Sequence, residues 1–156
     1  VYRDAGSRPT VYDVPTKQAA IARAKTAKKP IFCLSDDPLP NDVSQIVINK
    51  NNYRIVMHGD PNAALIYGYE ASVEELADII LSRHDYDGRD IDLISCSLGD
   101  DRYSTDSFAQ RLADLLGVTV WAATRKVWAN GTKYYTIGDK PFNDYGKGSY
   151  KGFIPK

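Results

Sequence analysis

Four short apolar runs, separated by stretches with the spacing of amphipathic helices, constrain the fold of this chain more than any other feature. Pro30-Ile31-Phe32-Cys33-Leu34-Ser35, Tyr53-Arg54-Ile55-Val56-Met57, Ile91-Asp92-Leu93-Ile94-Ser95 and Val118-Thr119-Val120-Trp121-Ala122 each have the length of a core strand. Between the second and third runs, Ser72 followed by Glu75 forms a capping-box pattern. It opens a helix through about Ser82, with Val73, Leu76, Ala77 and Ile80 on one face. Between the third and fourth, Ser104 or Thr105 can cap a helix through Leu116. Phe108, Leu112 and Leu115 face inward there, and Gly117 marks the end. Strands that alternate with helices predict an α/β fold with a mostly parallel central sheet, flanked by helices joined through right-handed crossovers.

The remaining segments fit around that frame. Thr16 to about Lys29 is rich in Ala and Lys, with Ile21 its only large aliphatic, and predicts a helix with a thin apolar stripe. Asp36-Asp37-Pro38 stops the first strand. Gln45 to Asn49 reads as a short edge strand. Val127-Trp128-Ala129, Asn130-Gly131 and Thr132 to Ile137 predict a C-terminal β-hairpin, because Asn-Gly supports the tight type I′ turn. Residues 1–12 read as a tether and residues 138–156 as an irregular tail. No internal repeat or second domain is visible, so residues 1–156 read as a single domain.

Composition narrows the function classes. The 156 residues are 43% hydrophobic, enough for a real core. The net charge of zero argues against a nucleic-acid binder, whose affinity comes largely from Lys and Arg. No apolar run approaches the roughly 18 residues of a membrane span. The chain begins at Val1, which reads as a fragment of a larger protein. Its two cysteines, Cys33 and Cys96, lack the spacings of a zinc site, and no metal or cofactor is expected. A reducing compartment fits them, although sequence leaves a Cys33–Cys96 bridge open.

Two of the apolar runs lead into a reactive side chain backed by small residues. One continues Ile55-Val56-Met57-His58-Gly59-Asp60, the other Ile94-Ser95-Cys96-Ser97-Leu98-Gly99. Sites in open α/β sheets form outside the carboxyl ends of the strands. One helix separates these two strands, so a right-handed crossover sets them side by side or one apart. An imidazole near a thiol can take its proton or stabilise the thiolate. The backbone N–H groups of Gly59 and Cys96 are the natural oxyanion donors. Taken alone, a Cys or a His at a strand end is usually structural; it is the pairing that points to chemistry. Cys33 reads as core and His84 as solvated surface. Asp100-Asp101 reads as a solvated loop with a cation site as its alternative, and Trp121 and Trp128 read as packing. Arg125-Lys126 could recognise an acidic group, although exposed charges at a strand end are common.

An apolar strand leading to His-Gly, paired with a later strand leading to Cys, resembles the caspase-like cysteine peptidases, especially the self-cleaving cysteine protease domains of large bacterial toxins. Leu93-Ile94-Ser95-Cys96-Ser97-Leu98-Gly99 resembles their nucleophile segment. Phe108 through Val120 resembles the helix and strand that follow it. The likeness runs over roughly residues 30–137. It implies a caspase-like fold, Cys96 as nucleophile, His58 as its base, and an oxyanion hole from Gly59 and Cys96. It also implies an acid that orients the histidine, at Asp36 or Asp37, and a substrate pocket near Thr124, Arg125 and Lys126. The toxin proteases are larger and bind inositol hexakisphosphate on a basic surface. This shorter, neutral chain gives no reason to expect that ligand.

The resemblance implies a cysteine-dependent hydrolase, a protease acting on a protein or peptide. It would be a toxin or effector delivered by a bacterium as part of a larger secreted protein, acting in the target-cell cytoplasm and neutralised by a cognate immunity protein. Neither a nucleic-acid nor a membrane partner is expected. Two other readings share the fold: another amide hydrolase or acyl transferase, and an inactive module that binds a partner through a Tyr-rich surface.

Overall fold

The structure, a computed structural model, describes residues 13–156. The tether expected at residues 1–12 lies outside the described residues. The fold is mixed α/β, with a mostly parallel sheet flanked by helices. Strands β1 (Tyr53–Val56), β5 (Ile91–Ile94), β6 (Val120–Ala123) and β9 (Tyr150–Phe153) form the central sheet in the order β1-β5-β6-β9. β1, β5 and β6 run parallel, while β9 is antiparallel to β6. β2 (His58–Gly59), β3 (Ala64–Ile66) and β4 (Tyr69–Ala71) make a small antiparallel sheet, and β7 (Val127–Ala129) and β8 (Tyr135–Ile137) make a hairpin.

Strand alternation sorts the core into two faces. Ile55, Leu93, Val120 and Ala122 pack with α1 (Lys17–Thr26), α3 (Val73–Ser82) and α4 (Phe108–Leu116). Val56 and Ile94 point to the other face, where Leu39 of α2 (Leu39–Asp42), Val43 and Ala129 cover them. Cys96 and Ala123 share that second face with Val127 and Ile137 of the hairpin.

The expected helices form with their expected chemistry in two cases. Thr16 caps α1 by accepting from the Ala19 N–H at 3.1 Å. Ser72 and Glu75 close a full capping box on α3, whose Val73, Leu76, Ala77 and Ile80 are buried. The cap of α4 is corrected from Ser104 or Thr105 to Ser107, whose hydroxyl accepts from Gln110 N–H. Ser104 instead donates to the Asp106 carbonyl, and Leu115 is exposed while Ala109 and Ala113 face in. Gly117 ends the helix in the left-handed conformation, as expected.

Other elements differ. Phe32, Cys33 and Leu34 are buried, but the Pro30–Ser35 run makes only a single bridge, Ile31 to Val56. Its Phe32 carbonyl accepts from Tyr67 N–H, which takes the segment off the ladder. Gln45 to Asn49 is not a strand; the Asn49 amide is drawn to the Asp92 carboxylate at 2.8 Å. The β7–β8 register pairs Ala129 with Tyr135, so the connection is a five-residue loop rather than a two-residue turn. Gly131 N–H is bonded to the Asp42 carbonyl at 2.8 Å, docking that loop on the end of α2. The tail is corrected too, since Tyr150–Phe153 forms strand β9. β3 and β4 were not foreseen; Tyr67 and Gly68, both at positive φ, form the two-residue turn between them.

Arg83 ties the ends of α1 and α3 together. Its buried guanidinium donates to the carbonyls of Ala24 and Ala27, the Tyr53 hydroxyl and the Asp85 carboxylate. The capping box offers a simpler test of the local logic. Ser72→Ala leaves the N3 amide without its acceptor and should cost about 1 kcal/mol in chemical denaturation, with the slope unchanged.

Candidate functional site

The parallel β1–β5 ladder pairs Val56 with Ile94, and Met57 N–H adds a further rung to the Ile94 carbonyl at 3.3 Å. His58 and Cys96 each lie two residues beyond that last pair, His58 in β2, which pairs with β3, and Cys96 past the end of β5. Gly59 packs directly on the Cys96 segment. A Cβ built there would lie 2.6 Å from Ser95 Oγ and 3.0 Å from the Cys96 carbonyl oxygen. The two strand ends expected to meet are therefore neighbours, and Gly59 permits the close approach.

Asp37 completes the arrangement. Its Oδ2 lies 2.5 Å from His58 Nε2, with the carboxylate 1% and the imidazole 9% exposed. The other carboxylate oxygen, Oδ1, accepts from Leu39 N–H at the start of α2. Asp37 is thus fixed by the helix that follows it and in turn fixes the imidazole. Of the two candidate acids, Asp37 makes this bond, while Asp36 sits exposed in the turn.

Cys96 is a free thiol, 2% exposed. Val127 N–H donates to its sulfur at 3.1 Å. A cavity of about 10 Å³ lies beside it, lined by Leu39, Val43, Met57, Ile94, Ser95, Cys96 and Val127. Ser97, immediately after Cys96, holds a positive φ of 60°, and its N–H is bonded to the Arg125 carbonyl at 3.0 Å. This left-handed residue turns the chain sharply off β5. Cys33 is also free and buried, so no Cys33–Cys96 bridge forms. Burial, with the nearby Asp37 charge, pushes the Cys33 thiol far above its usual range, in keeping with a core residue.

An open cleft of about 660 Å³ borders the same strand ends, lined by Asp60, Asn62, Ser97, Asp100, Arg102, Tyr103, Lys126 and Asp139. Of the three residues expected to shape a substrate pocket, only Lys126 lines it. The Thr124 hydroxyl accepts from Ser149 N–H, and Arg125 bonds the Thr124 carbonyl while leaning toward Asp100 and Asp139. Asp100 is not the solvated loop residue its sequence context indicated. Its carboxylate is fully buried and paired with Arg102 at 2.7 Å. Burial alone would push that carboxyl up; the Arg102 guanidinium and amide, with Arg125 behind them, outweigh it and hold the group below the usual range. His84 is exposed, and Trp128 packs with its Nε1–H on the Gly138 carbonyl, both as expected. Among the described residues no group of three or more His, Cys, Asp or Glu could hold a metal. No helix there is long and apolar enough to cross a membrane.

Sequence reasoning missed Ser95, Val127 and Tyr150, which surround the thiol. Ser95 Oγ is buried without a hydrogen-bond partner, as is the Tyr150 hydroxyl. Ser95 was legible only as the residue before Cys96, and the other two arrive from later strands.

Residues 27–140 match the family described as a domain of unknown function, DUF8616. The chain belongs to this family. No curated protein matches the sequence. The DUF8616 match takes in Asp37, His58, Gly59, Cys96 and the β7–β8 hairpin, and it ends before β9.

Two measurements probe this geometry. Gly59→Ala drives a Cβ into Ser95 and the Cys96 carbonyl, so it should cost about 1–3 kcal/mol and displace β2 from the cysteine segment. Thermal unfolding and amide chemical shifts at residues 95–98 would report both effects. Asp100 has a folded pKa below its unfolded value. It therefore contributes stability that is present above about pH 4 and lost as the pH falls through the folded value. Asp100→Asn should lower stability at neutral pH and flatten the acid limb of the stability–pH curve.

Proposed function

We propose that this chain is a cysteine-dependent hydrolase, a protease of caspase-like architecture built on Asp37, His58 and Cys96. The reading is carried by the 2.5 Å Asp37–His58 bond, with His58 and Cys96 each two residues beyond the Val56–Ile94 pair of the β1–β5 ladder. Gly59 against the cysteine segment and a polar cleft at the same strand ends support it.

In this mechanism Asp37 holds Nε2, so Nδ1 exchanges the proton with the sulfur and the leaving group. The Cys96 thiolate attacks a carbonyl carbon, and the backbone N–H groups of Gly59 and Cys96 stabilise the oxyanion. The imidazolium gives its proton to the departing amine as the C–N bond breaks. Water then adds to the thioester, returning the thiol and releasing a carboxylate. The sulfur faces the hairpin in this structure, so a substrate in the cleft reaches it after the thiol turns or Val127 withdraws. A bacterial toxin or effector setting, with a neutralising immunity protein in the producer, rests on the family resemblance alone.

The burial of the thiol favours a second reading, a partner-binding module without chemistry. A peptide-library digest separates the two. Wild type should cleave, and Cys96→Ala and His58→Ala should each lose at least about a hundredfold of that activity. Equal products from wild type and Cys96→Ala would overturn the protease reading. Absence of cleavage, with a Cys96 thiol as inert as Cys33 toward alkylation, would establish the second.

A further inference from the structure

Unpartnered buried polar atoms in a folded protein call for an explanation. Two of them, Ser95 Oγ and the Tyr150 hydroxyl, belong to residues near Cys96. Tyr150 opens β9 opposite Ala123 of β6, and its ring packs against both apolar clusters on the hairpin face. One of those clusters contains Cys96, Ala123, Val127 and Ile137. Tyr135 of β8 meets the ring edge-on, with centroids 6.1 Å apart. The position thus gives Tyr150 ample apolar packing, which phenylalanine would supply equally, and buries an O–H that phenylalanine would lack. Such a group is destabilising relative to a partnered one.

We propose that the Tyr150 hydroxyl is a hydrogen-bond donor to the Cys96 sulfur when that sulfur carries negative charge. The inference rests on the proposed thiol chemistry and adds a residue to it. In the resting state the sulfur accepts from Val127 N–H and the phenol has no partner. Ionisation, or attack on a substrate, places charge on an atom in the cluster against which the phenol packs, and the unpartnered O–H then donates to it. A donor in this position must stay protonated. Burial keeps it so, pushing the Tyr150 phenol well above its usual range, with the Cys96 and Tyr135 charges adding to the effect. Arg54 of β1 acts in the opposite sense and Asp92 of β5 in the same sense, so both strands beneath the cluster contribute to the field. His58 and Asp37, 2.5 Å apart, are the other titratable pair of the site.

The test follows the thiol directly rather than through a substrate. The Cβ chemical shift of isotope-labelled cysteine, recorded against pH, reports ionisation at Cys96, with Cys33 as the reference in the same molecule. In wild type Cys96 should ionise well below Cys33. In Tyr150→Phe the Cys96 midpoint should rise by about one pH unit, a tenfold loss of thiolate at any pH below it. Cys33 should not move, and thermal stability should hold or increase because an unpartnered hydroxyl has gone. An unchanged Cys96 midpoint in a folded Tyr150→Phe protein would overturn the proposal and leave the hydrolase reading intact. A wild-type Cys96 that ionises no more readily than Cys33 would overturn both.

Discussion

The parallel pairing of β1 with β5 is the constraint on which the rest of the molecule depends. Its register, Val56 against Ile94, decides which residues face the helices and which face the hairpin. It sends Ile55 and Leu93 into the layer under α3 and α4, and Val56, Ile94 and Cys96 toward α2 and β7. A slip of one residue would exchange those faces and carry His58 and Cys96 apart. The crossover helix α3 enforces the parallel sense, and its capping box starts that helix at a defined residue. The site is therefore a consequence of how two four-residue strands align.

Around that alignment, polar groups are distributed unevenly. Away from the site they are satisfied: Asp92 by Asn49 and Asn52, and Arg83 by carbonyls, a hydroxyl and a carboxylate. Beside Cys96, Ser95 and Tyr150 each bury an oxygen without a partner, and Thr136 does so on the hairpin. Ser97 adds a left-handed backbone conformation that glycine would adopt more readily. Unmet hydrogen-bonding capacity and local strain are destabilising, and in folded proteins such features cluster at functional sites.

The sequence announced the crossover units because they obey strong periodic rules: apolar runs for β1, β5 and β6, and a capping box and an apolar stripe for α3. It concealed elements whose existence depends on a partner strand. β9 places Lys151 and Gly152 between its two aromatic residues, which breaks any apolar run, and it pairs along β6 over all four residues. Gln45 to Asn49 is β-branched but finds the Asp92 carboxylate instead of a ladder. Asn130-Gly131 promised a tight turn, yet Asn130 Oδ1 accepts from Thr132 and Gly131 docks on Asp42, which opens the loop. In the site, His58, Gly59 and Cys96 could be read from strand ends. Asp37 came only through the family resemblance, as one of two adjacent acids, because its selection depends on where α2 begins. Val127 and Tyr150 could not be read, since nothing local to them refers to the thiol.

If Asp37 holds His58 as the partner of the Cys96 thiol, the reactivity of the sulfur depends on both residues. The most direct measurement is the rate of Cys96 alkylation at neutral pH, read by mass spectrometry against buried Cys33 in the same molecule. An imidazole that takes the thiol proton makes the sulfur more nucleophilic. Cys96 should react faster than Cys33 in wild type, and His58→Ala and Asp37→Asn should each slow Cys96 by at least about tenfold while leaving Cys33 unchanged. A Cys96 rate identical in wild type and His58→Ala would show that the imidazole does not act on the thiol, and would contradict the dyad.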